Sequence, residues 1–361
     1  QYSGYVAPDL NAIDTRLAGE YEGIGAVITL NEETGEVEVV SVFEGSPAEQ
    51  AGIRGGDVFV AVDGVDVIGL NTTELSAIVR GPVGTEVRLT MRRHEELIEF
   101  TIVRERVELV YVTHERLAGD IGYISLTQFT ANAREQIDAA LVDLDPTTLN
   151  GLILDLRDNP GGLLSAAVDM AGLFLEEGVI LIEQFGSGEE SGFQIEDGRA
   201  LQVFEDGRQR EYLSGVSYAG IDAPVVILVN ENSASASELV AGAWQDNGVA
   251  TILGVTTFGK GTVQTINTLS NGGGLRLTIA RWLTPNREWI TDQGITPDIV
   301  VELPDPIDDD VIEPGAEDSD SEVEDTQLQA AIDYILGLAA AAEEEARFSG
   351  SVAHAILPAR C

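Results

Sequence analysis

The chain has 361 residues, 44% of them hydrophobic, enough for a buried core and, at this length, for two domains with tails. Its formal net charge of -42, from 62 acidic against 20 basic side chains, argues against nucleic acid as a partner, because neutralising phosphates takes Lys and Arg. The single cysteine, Cys361, excludes an internal disulfide framework and a cysteine-based metal site, and no apolar run approaches the roughly 18 residues that span a bilayer.

In chain order, residues 22–106 read as short strands with a helix or two. Glu22–Thr29 (EGIGAVIT) is a glycine turn running into a strand. In Gly45–Gly52, Ser46 fits a helix N-cap, Pro47 the first helical position and Gly52 the stop. Gly55–Gly64 predicts a strand between two turns, Leu70–Val79 a helix, Gly81–Gly84 a turn, and Glu86–Arg92 an alternating strand.

From about residue 108 the pattern turns to α/β. Gly151–Arg157 is an apolar run of the buried parallel type, followed by the turn Asn159–Gly162. A helix then follows, with apolar residues at Leu164, Ala167, Val168, Ala171, Phe174 and Leu175. Asp197-Gly198 and Asp206-Gly207 mark hairpins. Val225–Val229 and Ala250–Val255 are further buried strands, and Leu275–Leu283 alternates like an edge strand. Asp305–Asp325 holds eleven acidic residues in 21 with no basic one, a composition that reads as a linker. Gln327–Leu338 reads as a short amphipathic helix.

The stretch after Val225–Val229, Asn230–Gly242 (NENSASASELVAG), carries Ser233, Ser235 and Ser237 at alternate positions. Ser235 and Glu238 match a capping box, and helix caps outnumber nucleophiles. A serine between a buried strand and a helix also sits where open α/β sheets place their sites, with the helix dipole facing it. A nucleophilic hydroxyl needs a base. His94, His114 and His354 read as surface residues, which leaves Lys260 in the loop Thr256–Gln264 (TTFGKGTVQ). A surface lysine is the ordinary reading. Burial among groups such as Phe258 and Val263 would disfavour its charge and make it a base.

Ser233–Glu238 (SASASE), Thr257–Gln264 (TFGKGTVQ) and Asp155–Gly162 (DLRDNPGG), taken together, resemble the C-terminal processing peptidases, the tail-specific proteases of serine peptidase family S41. The resemblance runs from Tyr2 to about Leu336 and implies an α/β (α+β) fold. Its core would be a crotonase/ClpP-like mixed sheet, with a PDZ-like β domain attached. By resemblance Ser235 is the nucleophile, Lys260 the general base, Gln264 orients the lysine amine and Glu238 is the acid beside the serine. The oxyanion hole would use the amide of Ala236 and one from the Gly161-Gly162 turn. Asp158 and Asn232 depart from the family's usual Asn and Gly; asparagine tolerates a left-handed backbone, so the turn is expected to survive.

Gly23–Ala26 (GIGA) is a glycine turn whose amides could form a nest for a carboxylate, and a strand edge beside it could accept a peptide. The resemblance makes this the site for a substrate's free C-terminus, read by Gly23, Ile24, Gly25 and Ala26. The expected organisation is residues 1–20 as the remnant of an N-terminal helical element, 21–107 PDZ-like, 108–304 catalytic, 305–325 linker, and 326–361 C-terminal helix and tail. The expected activity is a Ser-Lys endopeptidase cutting partly unfolded proteins near their C-termini, with no metal or other cofactor. The rival is a non-catalytic scaffold that keeps the groove. Gln1 is not a natural start, so an exported mature form is expected, in the periplasm, envelope or outside the cell, with a removed N-terminal anchor as its one route to a membrane. A homodimer fits the family; the acidity alone would equally suit a cytosolic peptidase of a salt-loving organism.

Overall fold

The computed structural model describes residues 3–6, 17–213, 221, 223–270, 273–303 and 325–353. Two compact units divide the chain: Asp14–Leu109, and Gln1–Ile13 with Val110–Cys361. Strand β1 (Gly4–Val6) belongs to the larger unit, and these residues, within the expected remnant 1–20 of a helical element, pair as a strand.

The smaller unit contains β2 (Glu20–Gly23), β3 (Ala26–Asn31), β4 (Glu36–Val42), α1 (Pro47–Ala51), β5 (Val58–Val62), β6 (Val65–Asp66), α2 (Thr72–Val79), β7 (Glu86–Arg93), β8 (Glu96–Val103) and β9 (Glu105–Glu108). Its main sheet runs β3-β4-β5-β7-β8, all antiparallel, so β3 is an edge. Val39, Ile53, Phe59, Leu75, Leu89 and Met91 fill the core. Ser46 caps α1 as its sequence implies, accepting the Glu49 amide at 3.3 Å. Helix α2 begins on a capping box: Asn71 accepts the amides of Thr73 and Glu74, and Glu74 accepts that of Asn71, all at 3.0 Å. His94 and Glu95 form the exposed two-residue tip between β7 and β8.

The larger unit continues with β10 (Val112–Leu117), β11 (Ile121–Leu126), α3 (Ala133–Leu144), β12 (Gly151–Asp155), α4 (Leu164–Phe174), β13 (Gly178–Phe185), β14 (Glu190–Glu196), β15 (Arg199–Phe204), β16 (Gln209–Leu213), β17 (Val225–Val229), α5 (Ala236–Asp246), β18 (Ala250–Gly254), β19 (Thr262–Thr268), β20 (Gly274–Leu283), β21 (Ile299–Val300) and α6 (Thr326–Ala353). One sheet runs β10-β11-β12-β17-β18-β21, parallel except for β10. Every residue of β12 and β17 is buried, as expected of central parallel strands. Helices α3, α4 and α5 pack on one face around Trp244 and Phe129. On the other face Ala331 and Ile335 of α6 cover Ile121, Ile153 and Val226.

A second, antiparallel sheet holds β13–β16, β19, β20 and β1. Asp197 and Gly198 make the β14–β15 hairpin with φ of +51° and +69°, the left-handed pair this turn requires. Strand β20 is not an edge: β19 pairs along one side, and β1 and β13 share the other. Its exposed residues include the consecutive pairs Leu275-Arg276 and Thr278-Ile279, so the alternating sequence marks neither a free side nor a single exposed face. Of the acidic segment, residues 305–324 lie outside the described residues, as do His354 and Cys361. Asp325, the last residue of the expected linker, precedes α6 and accepts the Leu328 amide at 2.9 Å. Its carboxylate grips Arg157 at 2.8 and 2.7 Å, while the same guanidinium holds Asp155, itself bonded to the Tyr123 hydroxyl at 2.7 Å.

Candidate active site

Strand β17 ends at Val229, and the chain turns through residues 230–235 into α5. That turn is sharp. Ser235 has φ +57° and ψ -108°, a conformation L-residues avoid, at a cost of roughly 1–3 kcal/mol. The left-handed backbone expected of Asn232 falls instead on Ser235 and on Asp158, whose φ is +58°. Asn232 serves by its side chain, donating to Asp158 Oδ1 at 2.8 Å, and Asn230 donates to the same oxygen at 2.9 Å. These amide donors hold the Asp158 carboxyl below the usual carboxylate range. The two positions that depart from the family pattern therefore bond each other.

The three serines separate by environment. Ser233 has no exposure; its hydroxyl donates to the Leu156 carbonyl at 2.8 Å and accepts the Asn230 amide at 3.0 Å. Ser237, equally buried, donates to the Asn159 carbonyl at 2.9 Å. Both hydroxyls latch the strand-helix turn to the residues after β12. Ser235 alone of the three lines a pocket of about 150 Å³, with Gly162, Ala236, Lys260, Thr262 and Gln264, over apolar walls of Leu164, Leu239, Val263 and Trp282. A larger cavity of about 760 Å³, between Phe174, Pro224 and Val249, contains none of the expected catalytic residues.

Glu238 ties the serine turn to the lysine loop. Fully buried, it accepts four hydrogen bonds: the Ser235 amide (2.7 Å) and Lys260 amide (2.9 Å) on Oε2, the Gly259 amide (2.6 Å) and Thr257 hydroxyl (2.7 Å) on Oε1. Its reach back to Ser235 is the carboxylate half of the expected capping box, used here to join two loops 22 or more residues apart in sequence. The Lys260 carbonyl accepts the Trp282 indole N–H at 3.2 Å, and Phe258 donates its amide to the Ser233 carbonyl at 3.1 Å. The loop is thus held by backbone on both sides of the lysine. Burial, and next the charge of Arg276, push the Lys260 amine below the ordinary lysine value, with Glu238 pulling the other way.

The turn after β12 packs directly on the serine. A Cβ on Gly161 would fall 2.8 Å from the Ala236 nitrogen and 2.8 Å from Ser235 Cβ, so only glycine fits there. Its amide is already taken, donating to Asn159 Oδ1 at 2.9 Å. Gly162 lines the pocket beside Ala236. Asn159 was not singled out from the sequence. Fully buried, it also accepts the Ala234 amide (3.0 Å) on its carbonyl and donates to Leu126 (2.7 Å), which makes it the hub between turn and elbow.

In the smaller unit, Ile24 and Ala26 line a groove with Tyr21, Ile28 and Phe59 on one side and Ser76, Val79 and Arg80 of α2 and its end on the other. The groove is narrow, about 40 Å³. The Arg80 guanidinium lies 4.6 Å from the Tyr21 ring centre. Gly25 (φ +82°) is fixed by close packing: a Cβ there would fall 2.3 Å from Ser46 Cβ. Among the described residues no cluster of His, Cys, Asp or Glu could hold a metal ion, and no helix is long and apolar enough to cross a membrane.

Comparison with known proteins gives two family matches: peptidase family S41 over residues 120–301 and a PDZ domain over residues 38–93. A carboxyl-terminal-processing protease of Synechocystis sp. is 38% identical over 325 residues, 88% of this chain and 69% of that protein. The carboxy-terminal processing protease CtpA of Bacillus subtilis is 35% identical over 306 residues, 84% of this chain and 61% of that protein. Among solved structures, a photosystem II D1 C-terminal processing protease is similar at 29% identity, covering 84% of this chain and 79% of that one, with a TM-score of 0.45.

Proposed function

The chain belongs to peptidase family S41 and carries a PDZ domain, and from that premise we propose that it is a serine endopeptidase of the C-terminal processing type, working through Ser235 and Lys260. The observation that carries the reading is Glu238: one buried carboxylate oxygen accepts the amides of both residues, and both side chains line one pocket.

Neutral Lys260 takes the Ser235 proton as the hydroxyl oxygen attacks a peptide carbonyl. The tetrahedral oxyanion would be met by the amides of Ala236, at the positive end of α5, and Gly162. Gly161 is the less suitable donor of the pair because Asn159 already engages its amide. The protonated amine then protonates the leaving nitrogen, and water hydrolyses the ester that remains. Gln264, two residues beyond Thr262 on β19, would orient the amine. The sign of the Lys260 shift supports this chemistry, since a base must be neutral to accept a proton.

The PDZ unit would present the substrate tail. An extended peptide can add to the free edge of β3 opposite α2, its carboxylate meeting the turn at Gly23, Ile24, Gly25 and Ala26. Partly unfolded proteins supply such tails. A non-catalytic scaffold would keep the same groove; it has no use for an intact pocket with a strained serine. Replacing Ser235 by Ala and, separately, Lys260 by Ala while following cleavage of an unfolded protein decides between them: loss in both with the fold intact is expected, and retained cleavage in either overturns the dyad.

A further inference from the structure

Thr262 carries a hydroxyl oxygen that is buried and has no hydrogen-bond partner. Leaving such a group unpaired costs on the order of 1–3 kcal/mol, so its location needs a reason. It lines the same pocket as Ser235, Lys260 and Gln264. Residues 260, 262 and 264 alternate along one segment, the spacing that turns side chains to one face of a strand. The register shift between Val263 and Gln264 leaves Ile279 of β20 as the extra residue, so the alternation along β19 is unbroken. Thr291, the other residue with an unpartnered buried hydroxyl among the described residues, packs behind Gly261 and does not line the pocket.

We propose that Thr262 is a positioning residue for Lys260: its unpaired oxygen accepts a hydrogen bond from the lysine once the amine has taken the serine proton. The inference rests on the Ser235–Lys260 reading above. A neutral amine has two N–H donors and one lone pair, and it becomes a three-donor ammonium when it takes the Ser235 proton. The charge then sits in a pocket walled by Leu239, Val263 and Trp282, where the flexible lysine chain would swing its ammonium to the unpaired Thr262 oxygen. The charged groups acting on the amine are Glu238 of α5 and Arg276 of β20, which oppose each other. Thr262 would supply a neutral acceptor close to the site of the charge change.

The test compares Thr262→Val, which keeps the shape and removes the hydroxyl, with Thr262→Ser, which restores it, using the full chain and an unfolded protein substrate. Thr262→Val should lower kcat about tenfold or more with little change in KM, as expected for a hydrogen bond to a charged group. Because the ammonium loses an acceptor, the rise of kcat/KM with pH should move to lower pH by about one unit. Thr262→Ser should restore both. Unchanged kcat and an unmoved pH limb in Thr262→Val overturn the proposal, as does failure of Thr262→Ser to rescue. Loss of thermal stability without movement of the limb would also overturn it, by giving Thr262 a structural role. Ser235→Ala and Lys260→Ala measured alongside keep the two readings apart: activity in either sinks the dyad, whereas two dead variants with a normal Thr262→Val sink only the role of Thr262.

Discussion

Glu238 accepts the Lys260 amide at 2.9 Å with the same carboxylate oxygen that accepts the Ser235 amide at 2.7 Å. The relative placement of the two catalytic candidates is thus set by one side chain rather than by the sheet alone. Glu238→Ala leaves four buried donors without their acceptor. Breaking such a network costs roughly 3–5 kcal/mol, about 6–20 °C of Tm for a unit of this size. Calorimetry of the variant should show a drop in that range together with loss of cleavage. A variant of normal Tm would mean that backbone contacts alone hold the loops.

The three serines should answer mutation in three ways. Ser235→Ala should lower kcat by about 10⁴-fold or more and leave Tm unchanged. Ser235→Gly should be equally inactive and more stable, by about 1 kcal/mol, because φ +57° with ψ -108° suits glycine. Ser233→Ala should stay active per folded molecule and lose about 1–2 kcal/mol, since the buried Asn230 amide loses its acceptor. Ser237→Ala should be milder, because the Asn159 carbonyl keeps the Ala234 amide. Denaturant melts paired with a peptidase assay separate all four; a dead but stable Ser233→Ala would move the nucleophile.

Activity should rise with pH through the lowered Lys260 value and show no limb belonging to a histidine, for His94 and His114 are exposed. Burial is the larger cause of the lowering and Arg276 the second, so Arg276→Gln should move that limb to higher pH. Stability follows the same linkage. Lys260 binds its proton less tightly folded than unfolded, so its burial penalty is full below the folded value and fades between it and about 10.4. The stability advantage of Lys260→Met over the native chain should therefore shrink across that interval. A gap independent of pH would show that the amine is solvated.

Amidating the C-terminus of a model peptide should raise its apparent KM about tenfold if the turn at Gly23–Ala26 receives a carboxylate. Equal cleavage of acid and amide would leave the PDZ unit a gate or scaffold. Bulk at Gly25 is the wrong probe, since a side chain there strikes Ser46 and the variant should lose the fold of the unit.

Elements governed by local physics were legible in the sequence. The Ser46 cap and the Asp197-Gly198 hairpin depend on neighbours within a few residues, and the strands β12 and β17 announce themselves by unbroken apolar runs although their partners lie far off in sequence. Ser235, Lys260 and Gln264 were named through the family resemblance of SASASE and TFGKGTVQ, and they line one pocket. Contacts between distant segments were not legible, because spacing carries no record of what a side chain meets. Ser233 and Ser237 look like Ser235 until Leu156 and Asn159 are brought against them. Asp158 and Asn232 looked like separate departures and are in fact partners, so restoring Asn at 158 alone should disturb more than changing both. Strand β20 alternates as an edge would, yet β1 near the N-terminus and β13 from mid-chain pair along the side that β19 leaves open.

The grip of Asp325 on Arg157 spans 168 positions. Synthesis runs from the N-terminus, so Asp155, Arg157 and the glycine turn beyond them leave the ribosome long before their second carboxylate does. For that interval the guanidinium has Asp155 alone, and the sheet face that Ala331 and Ile335 will cover lies open. Closure of this second core thus waits on one of the last described segments to be made.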